Sequence, residues 1–337
     1  MTALQVLHIG LMKSGTSFIQ DQLFANQERL RAQGTTIPGQ GWNDQVKGVT
    51  EVLGRQPAGL GANAGAWQAL VDELTSAHGP AIVSMEFLGP AKPQALARIK
   101  RDLPRARIVI TARDLNRSIA ALWQETVQNG RDWTFADYRA GVRAARPGHE
   151  VGQPTTAGTT FWRQQDVVRV ARTWRAAFDD VVVVTVPPPG APRELLMQRF
   201  AQAAGFDASD LVEARRGNES LGAASILALR RMNELLNAQG LVFPKGSNIR
   251  KHQLAKRILA AHKDEEQSIG LPVEDWIPEH AATMAEQLQA MELTLIGDWA
   301  DLTPVDVPGV DPATVAGADV AEAAIAGLTG LVADRIK

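Results

Sequence analysis

One short segment near the start of the chain gathers a lysine, two glycines and three hydroxyl side chains. Residues Gly10 to Ser17 read G-L-M-K-S-G-T-S, and an apolar run over residues 4–9 precedes them. Ile19 and Leu23 follow at the spacing of one helical face. A loop between a strand and a helix presents backbone N–H groups and the positive end of the helix dipole, which suit an anion such as phosphate. The segment therefore predicts a phosphate-binding loop.

This loop departs from a nucleotide-binding P-loop at one informative position. In the pattern G-x-x-x-x-G-T-S, Thr16 stands where a Walker A loop has its lysine, and the lysine lies earlier, at Lys13. Short motifs also occur by chance. The competing interpretation is an ordinary strand-to-helix turn in which Gly15 has only a geometric role.

Four apolar segments predict the strands that would position the loop. They are residues 4–9, 81–84, 107–112 and 181–186, with predicted helices between them. Strands that are apolar throughout are expected where helices cover both faces of a parallel sheet. The predicted fold class is therefore α/β, a P-loop NTPase-like parallel sheet flanked by helices. Glu86 comes just after the second strand, and ligands of such sheets gather at the carboxyl ends of strands.

The C-terminal portion of the chain is predicted to be rich in helices. The expected segments lie near residues 220–237, with Ser220 as N-cap, and near 249–263, 279–296 and 316–335. No repeat or interdomain linker is evident. We expect a single α/β domain over residues 1–300 and a tail over residues 301–337 that carries an alanine-rich helix.

Composition narrows the functional classes. Of the 337 residues, 45% are hydrophobic and 21% are charged, which is ordinary for a globular protein. The net charge of −2 argues against a nucleic-acid partner, and no apolar stretch approaches the roughly 20 residues of a membrane span. The absence of cysteine and of a leader-like segment makes a cytoplasmic location the simplest expectation. The histidines lack metal-binding spacing, so we expect no metal, and His8 is expected to be a hydrogen-bonded core residue.

The loop resembles the 5′-phosphosulfate-binding loop of sulfotransferases that use 3′-phosphoadenosine 5′-phosphosulfate (PAPS). That loop typically reads P-K-[ST]-G-T-[TS]; residues 13–17 match it, and Met12 replaces the proline. Residues 111–117, followed by residues 121–125, resemble the 3′-phosphate-binding segment of the same family, in the form of its actinobacterial members. Later stretches of the family are similar to residues 161–166, 185–192 and 218–222. Their common order along the chain strengthens the resemblance.

The resemblance implies a role for each matched residue. Lys13 would neutralise the charge that builds on the leaving phosphate as the sulfur–oxygen bond breaks. The 5′-phosphate would be held by the segment that follows the lysine, namely Ser14, Gly15, Thr16 and Ser17. Arg113, with its rigid fork of donors, would bind the 3′-phosphate. The competing interpretation for Arg113 is a surface ion pair.

Two further positions decide how far the family mechanism carries over. Many sulfotransferases have a serine eight positions after the arginine, where this chain has Ala121; Ser118 and Arg117 are the candidates for the missing contact. Related enzymes use a histidine or a glutamate as general base, and the segment that ends in Glu86 resembles the glutamate version. The competing interpretation is a structural glutamate that pairs with Lys13 or caps a helix.

The sequence thus predicts a sulfotransferase that moves a sulfuryl group from PAPS to a hydroxyl, less readily to an amine, by in-line displacement. The acceptor would be a small molecule or a hydroxyl of a glycan or lipid. Lys13 and backbone amides could replace the Mg²⁺ on which phosphoryl transfer depends. Two alternatives stay open. A P-loop kinase or NTPase is disfavoured by Thr16, and a catalytically silent nucleotide-binding relative is kept open by Met12 and Ala121.

Overall fold

The sheet consists of five parallel strands. A computed structural model of the chain describes residues 3–56, 59–149, 152–153, 155–214 and 220–336. The strands are β1 (Gln5–His8), β2 (Ala81–Ser84), β3 (Arg107–Ala112), β4 (Val181–Thr185) and β5 (Thr294–Ile296). They lie in the order β2-β1-β3-β4-β5, and every neighbouring pair is parallel. The predicted α/β class with a helix-flanked parallel sheet is confirmed.

Helices account for most of the other regular structure. The α-helices of the described residues are α1 (Thr16–Ala25), α2 (Gln27–Ala32), α3 (Trp42–Val52), α4 (Ala66–Ser76), α5 (Pro93–Asp102), α6 (Leu115–Gln128), α7 (Phe135–Ala144), α8 (Thr156–Gln165), α9 (Val167–Arg175), α10 (Leu195–Ala204), α11 (Ala223–Ala238), α12 (Trp276–Gln289) and α13 (Gly317–Ile336). Short 3₁₀ helices cover Glu86–Leu88, Trp299–Leu302 and Pro312–Thr314. None of the helices in the described part of the chain is long and apolar enough to cross a membrane.

Internal contacts divide the chain into two compact units. The first comprises Met1–Asp114, Arg163–Arg216 and Glu279–Thr303, and it contains the whole sheet. The second comprises Leu115–Trp162, Gly217–Pro278 and Pro304–Lys337. The domain boundary predicted after residue 300 stays a prediction.

In the first unit, both faces of the sheet are buried. Leu7, Val83 and Ile108 belong to one apolar cluster, which α3, α4, α5 and α9 cover. The adjacent strand residues belong to a second cluster beneath α1, α2 and α10, where Val6 and Ile82 are fully buried. Successive side chains of a strand point to opposite faces, which explains why the middle positions of these strands are apolar on both sides. Polar groups of the sheet can therefore reach a ligand only near the strand ends.

In the second unit, α11 packs against α6 and α13. Asn233 of α11 donates from its amide nitrogen to the carbonyl oxygen of Val127 at 2.7 Å. The buried indole N–H groups of Trp123 and Trp162 donate to backbone carbonyls within the same unit, at 3.1 and 2.8 Å. These bonds satisfy the polar atoms of large side chains that pack between helices.

Two expectations for the C-terminal half are wrong, and a third is confirmed only in that its segment is helical. The helix expected over 279–296 ends at Gln289, and β5 follows; a strand of three residues is too short to show a period in the sequence. Ser220 is not the N-cap of α11, which begins at Ala223 with Gly222 as its cap. The helix expected over 249–263 is a π-helix, Asn248–Ile258, followed by a 3₁₀ helix, Leu259–Glu265. Of the family-like stretch 218–222, the first two residues lie outside the described residues.

Candidate active site

The lysine-containing loop connects β1 to α1 and is held against β3. The Ile9 and Leu11 N–H groups donate to the carbonyl oxygens of Val109 and Thr111 at 3.0 and 2.8 Å. Gly10 and Lys13 have φ angles of 97° and 59°. A positive φ costs glycine nothing, but it is uncommon for a residue with a side chain, so the turn at Lys13 is a special feature of the backbone.

Two positions of the loop have too little space for a side chain larger than that of glycine. A Cβ atom at Gly10 would lie 2.9 Å from Cβ of Glu86, and a Cβ atom at Gly15 would lie 2.4 Å from Cδ2 of Leu196. Gly15 also has a φ of 82°. The loop is thus packed tightly between the segment after β2 and the start of α10.

The amino end of α1 has no side-chain cap. Its N-cap is Gly15, and its first turn holds no acidic residue. The first N–H groups of a helix lack partners within the helix, and the helix dipole favours negative charge there. The backbone at this helix start could hold a phosphate, and the contacts predicted for residues 14–17 stay predictions.

Arg113 lies directly beside the loop. It follows β3, is half-buried, and its Nη1 donates to the carbonyl oxygen of Lys13 at 3.1 Å. Because β2 lies on one side of β1 and β3 on the other, the loops after β1 and β3 lead in opposite directions. In open α/β sheets such a switch point is where ligands bind. The structure therefore brings together Lys13 and Arg113, which are far apart in sequence.

Glu86 follows β2 on the same edge of the sheet, and one of its oxygens is held in place. The amide nitrogen of Gln20 donates to Oε2 of Glu86 at 2.9 Å and to the Ser84 carbonyl oxygen at 3.0 Å. Among the described residues, Oε1 of Glu86 has no hydrogen bond. The carboxylate is thereby oriented while one oxygen remains available to accept a proton.

A chain of buried hydrogen bonds lies beneath the loop. The Ser14 hydroxyl donates to the Leu11 carbonyl oxygen at 2.5 Å, so it accepts from the Thr111 hydroxyl, 2.6 Å away. Thr111 must then accept from Nε2 of His8 at 3.1 Å, and Nδ1 of His8 accepts from the Ser84 hydroxyl at 2.7 Å. These roles assign the proton of the neutral ring to Nε2. Burial lowers the pKa of His8 to about 3, in agreement with a neutral ring.

This chain confirms the expectation that His8 is a hydrogen-bonded core residue. It also limits Ser14, whose side chain is buried and whose hydroxyl proton is directed at Leu11. The contact of Ser14 with a 5′-phosphate stays a prediction, and its backbone N–H is the group available for it. Ser118 lies on α6 in the second unit, where it is fully buried; its contact with a 3′-phosphate also stays a prediction.

Sequence reasoning missed two amides that support the site. Gln20 orients Glu86, and Gln165, which is buried, donates from its amide nitrogen to the Met12 carbonyl oxygen at 2.7 Å. A signal for Gln20 was present, because it shares the buried face of α1 with Ile19 and Leu23. A polar residue on a core-facing stripe calls for a buried partner.

Comparisons with known proteins are sparse. No family model and no curated protein matches the chain. Among solved structures, the chain is similar to a crystal structure of a sulfotransferase from Alicyclobacillus acidocaldarius, with 17% sequence identity and a TM-score of 0.42. The match covers 77% of this chain and 99% of that one. A likeness this distant carries no argument about activity, so the function must be argued from the site.

Proposed function

We propose that the chain is a PAPS-dependent sulfotransferase. The observation that carries the proposal is the contact between Arg113 and the Lys13 loop at the β1/β3 switch point. Two cationic residues and an uncapped helix start there face one edge of the sheet, and the Glu86 carboxylate follows the neighbouring strand. This set suits the transfer of a group from an anionic donor to a protic acceptor.

The residues present fit a phosphosulfate better than a Mg²⁺-bound triphosphate. The buried Thr16 occupies the position of the Walker lysine, and the lysine comes earlier, on a turn with a positive φ. The Gly15 N-cap leaves the first N–H groups of α1 to a phosphate. Arg113 supplies the second cationic contact, which the proposal assigns to the 3′-phosphate.

Bound PAPS would supply the sulfuryl group and the phosphate that leaves. Glu86 would accept the proton of the acceptor hydroxyl through Oε1 as the acceptor oxygen forms its bond to sulfur. Lys13 and the first N–H groups of α1 would stabilise the negative charge left on the phosphate oxygen when its bond to sulfur breaks. The products would be the sulfated acceptor and 3′-phosphoadenosine 5′-phosphate, and the acceptor would be a small molecule, glycan or lipid with a free hydroxyl.

Calorimetric titration with 3′-phosphoadenosine 5′-phosphate tests the nucleotide part of this proposal. We expect metal-independent binding that needs the 3′-phosphate, because ADP lacks the group assigned to Arg113. Lys13→Ala and Arg113→Ala should each weaken the affinity about tenfold or more, the value of one charge-assisted hydrogen bond. The matched controls are Lys92→Ala and Arg172→Ala, since both side chains are exposed and lie outside the site.

Three results would contradict the proposal. A preference for ATP with Mg²⁺ would favour a kinase or NTPase. Equal affinity for ADP and 3′-phosphoadenosine 5′-phosphate would show that Arg113 does not bind the 3′-phosphate. Absence of binding by the folded wild-type protein would favour a non-catalytic relative.

A further inference from the structure

A groove of about 460 Å³ runs along α7 in the second unit. Its floor is formed by alanines spaced four residues apart, Ala136, Ala140 and Ala144. Its polar lining consists of Arg139, Arg143, Arg146, His149 and Glu274. Residues three and four apart share a face of a helix, which explains why Arg139 and Arg143 rise from the same side of α7.

The groove carries excess positive charge. Nη1 of Arg139 lies 3.4 Å from Oε1 of Glu274, whereas Arg143 and Arg146 have no carboxylate within ion-pair distance among the described residues. Arg146 instead donates to the Arg143 carbonyl oxygen at 2.8 Å and lies 2.6 Å from Nε2 of His149. Three guanidinium groups and one carboxylate thus line the groove, in a chain whose overall net charge is −2. Such a local excess attracts anions.

One guanidinium of the groove is not fully hydrogen-bonded. Nε of Arg139 is buried and has no hydrogen bond within the described structure. Buried polar atoms are almost always hydrogen-bonded, and each exception needs a physical explanation. Nε is closed to solvent, and the guanidinium lies over the Phe135 ring, 5.0 Å from its centroid. An oxyanion in the groove would contact the other N–H groups of Arg139 and those of Arg143, since it can accept parallel N–H bonds from a guanidinium.

We propose that the α7 groove binds a small organic anion whose carboxylate, phosphate or sulfate groups contact Arg139 and Arg143. The volume falls within the range of small-molecule sites. The methyl groups of the alanine floor offer an apolar surface to the body of the ligand. The proposal concerns the second unit alone and does not depend on the sulfotransferase activity.

Hydrogen–deuterium exchange of the full-length protein with citrate or pyrophosphate at constant ionic strength tests the proposal. Either probe should slow exchange over residues 135–146, and comparison of the two distinguishes carboxylates from phosphate-type groups. Arg143→Gln should raise the probe concentration needed for half-protection about tenfold. Arg231→Gln is the matched control, because Arg231 is an exposed arginine on α11 of the same unit, and it should change that concentration less than about twofold.

Glu274→Gln gives a test of opposite sign. The carboxylate competes with the ligand for Arg139, so its removal should lower the concentration for half-protection severalfold. The amide oxygen of glutamine can still accept the indole N–H of Trp276, which lies 2.9 Å from Oε2 of Glu274. The proposal is overturned if neither probe protects residues 135–146 at millimolar concentration, if Arg231→Gln has the effect of Arg143→Gln, or if Glu274→Gln weakens protection.

Discussion

At the scale of single residues, the candidate site contains two kinds of side chain: those that would take part in the reaction, and those that orient them. Glu86 has one oxygen bonded to Gln20 and one without a hydrogen bond among the described residues. Gln20 uses both amide hydrogens, one on Glu86 and one on the Ser84 carbonyl oxygen. The orientation of the carboxylate therefore depends on a side chain of α1. The amino end of the same helix forms part of the proposed phosphate site.

Glu86→Gln should separate catalysis from nucleotide binding. The amide keeps the size of the side chain but is a far weaker base, so we expect kcat for sulfuryl transfer to fall about 10²- to 10⁴-fold. Affinity for 3′-phosphoadenosine 5′-phosphate, measured by calorimetry, should stay within about twofold of the wild type. Glu73→Gln, a glutamate of α4, is the matched control. Unchanged kcat in Glu86→Gln would show that another group accepts the proton.

At the scale of elements, α1 begins after Gly15. Both the positive φ angle and the close contact with Leu196 favour a glycine at this position. Gly15 and Gly65 are N-caps of α1 and α4, with nearly equal φ angles of 82° and 81°. A Cβ atom at Gly15 would meet Leu196, whereas nothing lies within 4 Å of a Cβ atom at Gly65. The pair distinguishes the effect of a positive φ from the effect of a close contact.

Gly15→Ala should therefore cost more stability than Gly65→Ala. The positive φ alone costs about 1 kcal/mol in each variant, and the contact with Leu196 adds about 1–3 kcal/mol at Gly15. Urea unfolding measures the difference. Nucleotide affinity should fall only in Gly15→Ala, since only that helix start belongs to the proposed site. Equal losses of stability would mean that α10 moves aside without cost.

At the scale of the molecule, one buried histidine links stability to pH. The pKa of His8 is about 3 in the folded chain, below the value of about 6.5 for an exposed histidine. The unfolded chain therefore binds this proton first as the pH falls, and its binding favours unfolding. The contribution of His8 to the free energy of unfolding is complete above about pH 6.5, and it is lost progressively as the pH falls toward 3.

Comparison of His8→Asn with the wild type tests this linkage. Lowering the pH from 7 to 5 should remove about 2 kcal/mol of stability through His8, so the wild type should lose about that much more than the variant does. Denaturant unfolding at the two pH values gives the measurement. His78→Asn, which removes a histidine at the surface, should follow the wild type. A variant that loses as much as the wild type would place the sensitive group elsewhere.

The local sequence pattern was sufficient to predict strands β1 to β4, but it did not predict β5. Four of the five strands lie within segments that the sequence predicts as strands, and two of them, residues 81–84 and 107–112, have the predicted bounds. β5 has three residues of low burial and pairs with β4 more than a hundred residues away, so its formation depends on contacts that a local pattern does not contain. The π-helix after Ser247 likewise has no distinct local signal.

The candidate site shows the same limit. The loop motif, Glu86 and Arg113 could be predicted from the sequence, because the type and position of each residue indicate a function even when its neighbours in the fold are unknown. The hydrogen bonds of His8, Gln20 and Gln165 join residues that are 64 to 153 positions apart. The order of the strands and the packing of α1 and α8 bring such residues together, and no local pattern of residues specifies either.

The buried chain from Ser84 to Leu11 has one further consequence. Every hydroxyl and ring nitrogen in it both has a partner and has a fixed direction of donation, so the loop above it is ordered by folding itself. A ligand that binds a loop already in its final conformation loses little affinity to the entropy of ordering. The hydrogen bonds that fix the loop to β1, β2 and β3 would in this way preorganise the proposed anion site.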